Sequence, residues 1–166
     1  GSHNFSLSAE YTKNRYNFTV SGYYNLVNDR IDLTSFRDTD GRWAQLYINT
    51  EKVDIAGVDI NASAKYPCGL GIRVSYGYLQ MKFSSTRPHS ATARIEYGKS
   101  WDNYQFNLSL NGRALSKVET NKYVGNNPDE GTTGVTYPGY TMWNLTLTQG
   151  IWKGVSLNMA VNNIFN

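Results

Sequence analysis

Leu70, Ile72, Val74, Tyr76 and Tyr78 alternate with Gly71, Arg73, Ser75 and Gly77. Successive side chains of a strand point to opposite faces, so this spacing predicts a strand with one apolar and one polar side. The period of two recurs along almost the whole chain. Phe5, Leu7, Ala9 and Tyr11 share a face; after a polar turn at residues 12–15 so do Tyr16, Phe18, Val20, Gly22, Tyr24 and Leu26. Ile31 to Phe36 resumes beyond Asn28-Asp29, which reads as an irregularity within one long strand. Between Trp43 and Tyr66 the phase changes once. Val53 and Ile55 are apolar at odd positions, then Val58, Ile60, Ala62, Ala64 and Tyr66 at even ones, which predicts a bulge at Ala56-Gly57. Further strands are predicted at residues 91–98, 104–111, 143–148 and 155–162.

These segments make an all-β chain, an antiparallel up-and-down meander of about eight strands. Its connections alternate in length. Those around Lys13, Cys68, Asp102 and Lys153 are short; those at Arg37–Gly41, Ser84–Ser90 and Asn121–Gly139 are longer and read as polar loops. Short turns at one end and long loops at the other suit a membrane barrel, although soluble meander barrels also have unequal ends.

The choice of solvent turns on the polar side. It is mostly Ser, Thr, Asn, Gly and Gln, with few charges at mid-strand. A water-facing surface usually carries more Lys and Glu, whereas a wet or plugged lumen suits weakly charged polar groups. Trp43, Tyr66, Tyr78, Trp101, Tyr104, Tyr140, Trp143 and Trp152 lie near strand ends and are assigned to the apolar side, as in the aromatic girdles of a bilayer. Composition agrees: 13 Tyr, four Trp and six Phe favour strands over helices. The net charge of +3 is too small and scattered for a nucleic-acid partner. No apolar run is long enough for a transmembrane helix, which leaves strand-spanning barrels open. Gly1-Ser2-His3 reads as a vector-derived tag remnant, leaving 4–166 as a single barrel segment.

Four stretches carry a family resemblance. Tyr16 to Ile31 resembles a strand in which a "YYN" element is followed by "D-x-I". Tyr47-Ile-Asn49 with Val53 to Ile60 resembles "Y-x-N … a-x-x-x-G-v-E", with Asp59 in place of the commoner Glu. Val161-Asn-Asn-Ile-Phe-Asn166 resembles "V-x-N-L-F-D/N". Arg87-Pro-His89 is similar to a "P-h" element opening a descending strand. Together they resemble the C-terminal barrel region of TonB-dependent outer-membrane receptors, and the Tyr- and Asn-rich composition resembles those of the Bacteroidetes group. The resemblance implies a segment of a larger transmembrane barrel of about 22 strands, with short turns toward the periplasm and long loops outside. It implies an active-transport receptor, not an enzyme, importing a siderophore, haem, cobalamin or glycan in the outer membrane. Its partners would be membrane lipid, TonB, a plug domain and the extracellular nutrient. Two other readings stay open at this point: a soluble eight-stranded barrel binding a small apolar ligand, and a complete small membrane barrel. As a segment, the chain is expected either to curl into a small closed barrel or to self-associate through its edge strands.

Candidate chemistry is sparse. His89 is the only histidine outside the presumed tag, so neither a His-based metal cluster nor a Ser-His-Asp triad can be assembled. No catalytic residue, metal site or cofactor is expected. His89 reads as a solvated residue at a loop end, or as a ligand contact if haem is carried. Arg42, Arg87, His89, Tyr123 and Tyr137 are the candidates for ligand contact from the loops. Asp59, Lys65, Arg73, Arg94 and Glu96 are assigned to the lumen face, mostly as charge pairs with some plug contacts. Cys68 is expected to be a free thiol in a turn.

Overall fold

The computed structural model of the chain describes residues 2–28, 30–37, 40–50, 53–81, 86–123, 131–152 and 154–165. The described residues form β1 (Ser2–Lys13), β2 (Tyr16–Val27), β3 (Arg30–Arg37), β4 (Trp43–Thr50), β5 (Val53–Lys65), β6 (Leu70–Met81), β7 (His89–Trp101), β8 (Tyr104–Leu115), β9 (Val118–Tyr123), β10 (Thr132–Tyr137), β11 (Tyr140–Trp152) and β12 (Val155–Val161). Eight of them make one antiparallel sheet in the order β1-β2-β5-β6-β7-β8-β11-β12. The other four form two separate ladders, β3 with β4 and β9 with β10.

The eight-stranded meander is therefore present, with hairpins inside two of its long connections. One was foreshadowed by the resumed alternation after Asn28. The other was not. Residues 121–139 were expected to be loop throughout, yet Thr132–Tyr137 pairs with Val118–Tyr123. Thr132, Thr133, Val135 and Thr136 are β-branched, and that preference outweighs the polar, glycine-containing composition.

Each short turn holds one residue in the left-handed region: Asn14 at φ 52°, Gly69 at 94°, Asp102 at 34° and Gly154 at 78°. Asn, Asp and Gly are the residue types that tolerate it. Tight reversals at these sites return each strand directly beside its predecessor.

Cross-strand pairing fixes the faces. Phe18, Ala62, Val74, Ala93, Gly112 and Trp143 form one continuous row from β2 to β11. Thr19, Asn61, Ser75, Thr92, Arg113 and Met142 form the neighbouring row on the opposite face. Tyr140 belongs to the polar face, opposite Leu115, and not to the apolar girdle to which the sequence assigned it. Its parity with Met142 puts it there, and the Arg87 guanidinium lies over its ring, 5.0 Å from the centroid.

The bulge expected at Ala56-Gly57 is absent. The ladders run unbroken through Tyr24–Ala56 and Tyr23–Gly57 on one side and through Ala56–Gln80 and Gly57–Leu79 on the other. Tyr23 lies over the bare Cα of Gly57, in the space a Cβ would need. Val53 and Ile55 therefore stay on the polar face, opposite Val27 and Met81, as an apolar patch at its long-loop end. The register slips instead between Gly150 and Trp152, beside the last turn.

The sheet is a single open layer. Among the described residues only Val53 and Val118 are buried hydrophobics, while Leu7 is 80% and Phe5 63% exposed. Among the described residues β1 and β12 each pair with one neighbour, so the alternative of closure into a small barrel is not realised. An eight-stranded barrel has an interior just wide enough to be filled by side chains. Neither face suits that interior: one is lined with aromatics and the other carries Arg73, Arg94 and Arg113. A layer with no second layer over its apolar face needs another apolar phase to cover it.

Candidate functional site

Two regions concentrate polar chemistry. The first is the polar face of β5–β8. Asp59, Lys65, Arg73, Arg94 and Glu96 all lie on it. Asp59 stands opposite Gly77, Lys65 opposite Gly71, and Arg73 opposite Arg94. Glu96 stands between Gly71 and Ser109, and its carboxylate is paired with the Arg94 guanidinium. Both side chains of that pair are about half exposed (50% and 45%), so solvent screens it and it contributes little to stability. Beside it a recess of about 420 Å³ is lined by Lys65, Arg94, Glu96, Asn107 and Ser109, with Gly71 and Gly98 in its wall. Sequence reasoning did not single out Arg113. Its signal was available, since Asn111 and Arg113 continue the polar parity of Gln105, Asn107 and Ser109.

The second region is the long-loop end. The Arg87 guanidinium donates to the carbonyl oxygens of Ser116 and Pro138, the latter at 2.8 Å, and covers the Tyr140 ring. One side chain thus ties the start of β7 to the end of β8 and the start of β11. The backbone adds Ser116 N–H to the His89 carbonyl at 3.0 Å, and the Ser116 hydroxyl accepts from His89 N–H at 3.1 Å. His89 itself turns to the apolar face. Its Nδ1 is 2.7 Å from the Tyr76 hydroxyl, and its ring lies 5.0 Å from that of Tyr78.

The remaining loop candidates lie on other elements. Arg42 is exposed just before β4, Tyr123 ends β9 opposite Thr132, and Tyr137 is exposed at the end of β10 opposite Val118. A second recess of about 420 Å³ at this end is lined by Met81, Pro88, His89, Ser116, Lys117 and Val118. Lys117 and Glu119 form an exposed ion pair of 3.0 Å at its edge.

Cys68 is an exposed free thiol in the turn before Gly69. Among the described residues no group of three His, Cys, Asp or Glu is placed to hold a metal ion. Among the described residues no helix is long and apolar enough to cross a membrane, which says nothing about crossing by strands. What the arrangement offers is a polar wall with fixed guanidiniums, an apolar wall behind it, and loops braced at one rim.

Comparison with known proteins fits that geometry. A family model described as TonB dependent receptor-like, beta-barrel matches residues 1–164. No curated protein sequence is matched. Among solved structures, the FrpB iron transporter from Neisseria meningitidis (F3-3 variant) superposes with a TM-score of 0.77 at 15% identity, over 99% of this chain and 27% of that one. The pyoverdine outer membrane receptor FpvA from Pseudomonas aeruginosa PAO1 gives 0.73 at 17%, over 99% and 25%. A mutant of the ferric enterobactin receptor PfeA from Pseudomonas aeruginosa gives 0.75 at 15%, over 99% and 26%. At these identities the likeness is one of fold, and the chain spans about a quarter of each of these structures.

Proposed function

The chain belongs to the TonB-dependent receptor β-barrel family, and from that premise we propose that it is part of the wall of a receptor that imports a scarce iron chelate with energy delivered through TonB. The observation that carries this reading is the family match across residues 1–164. The barrels of this family lie in the outer membrane, so the apolar face meets lipid and the polar face lines the lumen. The single-layer sheet supports that assignment, because its exposed Phe, Tyr, Trp, Leu and Val side chains need a hydrocarbon phase.

The cargo class is suggested by the similar folds, whose descriptions name an iron transporter, a pyoverdine receptor and a ferric enterobactin receptor. The role is transport and not catalysis. In this reading the short turns face the periplasm and the long loops face outside. Arg42, Tyr123 and Tyr137 sit where arriving ligand would be met, and Arg87 holds the loop bases at a fixed spacing. A plug domain would occupy the lumen.

The test is uptake. Cells lacking the receptor that contains this chain, and cells lacking TonB, are compared with the parent strain for accumulation of radiolabelled ferric catecholate and ferric hydroxamate chelates. Loss of uptake of one chelate in both mutants is the expected result. Unchanged accumulation of every iron chelate in the receptor mutant refutes the cargo, and uptake that persists without TonB refutes the coupling.

A further inference from the structure

The charge on the polar face is unevenly spread. Across β5–β8 the face carries Lys65, Arg73, Arg94 and Arg113 against Asp59 and Glu96. Arg73 stands directly opposite Arg94. Arg94 is opposite Asn111, and Arg113, two residues further along β8, is opposite Thr92. Directly paired residues have Cβ atoms about 5 Å apart and diagonal neighbours about 7–8 Å, so three guanidiniums share one patch on three adjacent strands. Of these three arginines only Arg94 has an acidic partner among the described residues, Glu96. Asp59 is opposite Gly77, four residues along β6 from Arg73, or about 13 Å at strand rise, too far to pair.

Like charges directly opposite each other destabilise a ladder. The surrounding positions Ser63, Ser75, Thr92 and Ser109 are small and neutral, so Glu96, already paired with Arg94, is the one acidic group among the described residues that adjoins the cluster. Arginine presents a rigid, planar fork of donors that matches a carboxylate in bidentate fashion. We propose that Arg73, Arg94 and Arg113 form a carboxylate-binding site on the lumen wall, and that the adjoining recess accommodates the rest of the group that carries the carboxylate. Glu96 neutralises one guanidinium, which leaves two positive charges and fits two carboxylates. The proposal rests on the polar face lining the lumen. Two sources share the chemistry: acidic side chains of polypeptide seated against the wall, and a free polycarboxylate ligand passing it.

The sign of a stability change decides the matter. In an empty cluster Arg73 and Arg113 add only repulsion, so removing either stabilises the protein; in a filled one their removal takes away a partner and destabilises it. The full receptor in detergent, with Arg73→Gln, Arg113→Gln and both together, is unfolded in urea with and without citrate as the tricarboxylate probe. A midpoint lowered by the substitutions without citrate supports a site filled by polypeptide carboxylates. A wild-type midpoint raised by citrate, with a smaller rise in the variants, supports a free ligand. The variants control for the general stabilisation that citrate gives by exclusion from surfaces. Arg73→Lys keeps the charge and loses the fork: a filled site is weakened by it, an empty one is unaffected. Midpoints that rise or stay unchanged on substitution, together with equal citrate responses in wild type and variants, overturn the proposal. Unfolding is read independently of uptake, so a receptor that imports no iron chelate still reports on this site.

Discussion

Replacing Gly69 by Ala tests whether the turn between β5 and β6 is held by backbone contact as well as by its own geometry. Gly69 sits at φ 94°, and a Cβ built there overlaps the carbonyl oxygen of Gly98 on β7 and lies 3.1 Å from its carbon. The obstacle is main chain, which cannot swing aside. One hydrogen bond spans the approach, Gly98 N–H to the Gly69 carbonyl at 3.0 Å, and a second closes the turn itself, Tyr66 N–H to the Leu70 carbonyl at 2.8 Å. The left-handed conformation costs an L-residue about 1–2 kcal/mol, and losing one or two bonds adds about 0.5–1.5 kcal/mol each. The expected destabilisation of Gly69→Ala is about 1.5–5 kcal/mol. Gly154 provides the control. It has φ 78° and nothing within 4 Å of an added Cβ, so Gly154→Ala carries only the conformational part, about 1–2 kcal/mol. Gly98→Ala is a second control, because its Cβ meets mainly the amide end of Asn107, a side chain that can rotate away. Equilibrium urea unfolding of the receptor in detergent measures all three. If Gly69→Ala costs no more than Gly154→Ala, the approach to Gly98 carries no energy and the argument fails.

Three other outcomes are expected. Gly112→Val places side-chain atoms where the Trp143 ring lies, 2.5 Å from an added Cβ, and displaces a ring that also meets Phe165 edge-on at 6.2 Å; in a variant whose other tryptophans are replaced by Phe, Trp143 emission should shift, and unchanged emission refutes the contact. Arg87→Ala removes the donors to Ser116 and Pro138 and costs about 1.5–3 kcal/mol per charge-assisted bond lost, read as faster amide exchange at Lys117 and Tyr140; exchange confined to β7 would contradict a brace between three strands. A hydrogen bond with Tyr16, followed by that residue's charge and by desolvation, holds the Tyr66 phenol above its ordinary value of 10.0. A raised phenol pKa means that its contribution to stability is complete below about pH 10 and is lost as pH rises through the folded value. Tyr16→Phe should therefore lower the Tyr66 titration midpoint followed by tyrosinate absorbance, and an unmoved midpoint would show that the hydrogen bond is not the cause.

The strands, their faces and the short-turn end were legible because a period of two repeats wherever a sheet separates two environments. Tyr16 to Leu26 and Tyr104 to Leu110 carry that signal without interruption. It fails where a contact comes from a distant strand. The parity change at Val53–Val58 looked like a bulge because an apolar residue on a polar face is indistinguishable from a register slip, and Tyr23 over Gly57 cannot be read from the local pattern. Tyr140 was misassigned for the opposite reason: its parity in β11, shared with Met142 and Asn144 and opposite to Trp143, already placed it on the polar face, but its aromatic ring was read as a girdle residue. Among the site residues, Asp59, Lys65, Arg73, Arg94 and Glu96 could be placed on one face by parity alone. That Arg73 faces Arg94, and that Arg113 adjoins them, follows from inter-strand register, which one strand's sequence does not encode.

The four left-handed turn residues have a kinetic consequence. Asn14, Gly69, Asp102 and Gly154 divide the sheet into the hairpins β1–β2, β5–β6, β7–β8 and β11–β12. Each hairpin closes a loop of only a few residues, an event of about 1–10 μs in isolated systems. The β2–β5, β6–β7 and β8–β11 seams must instead wait for longer connections to be drawn together, at a greater entropic cost. Assembly of this wall is then a matter of joining four preformed ribbons side by side, and the slow steps belong to the seams between them.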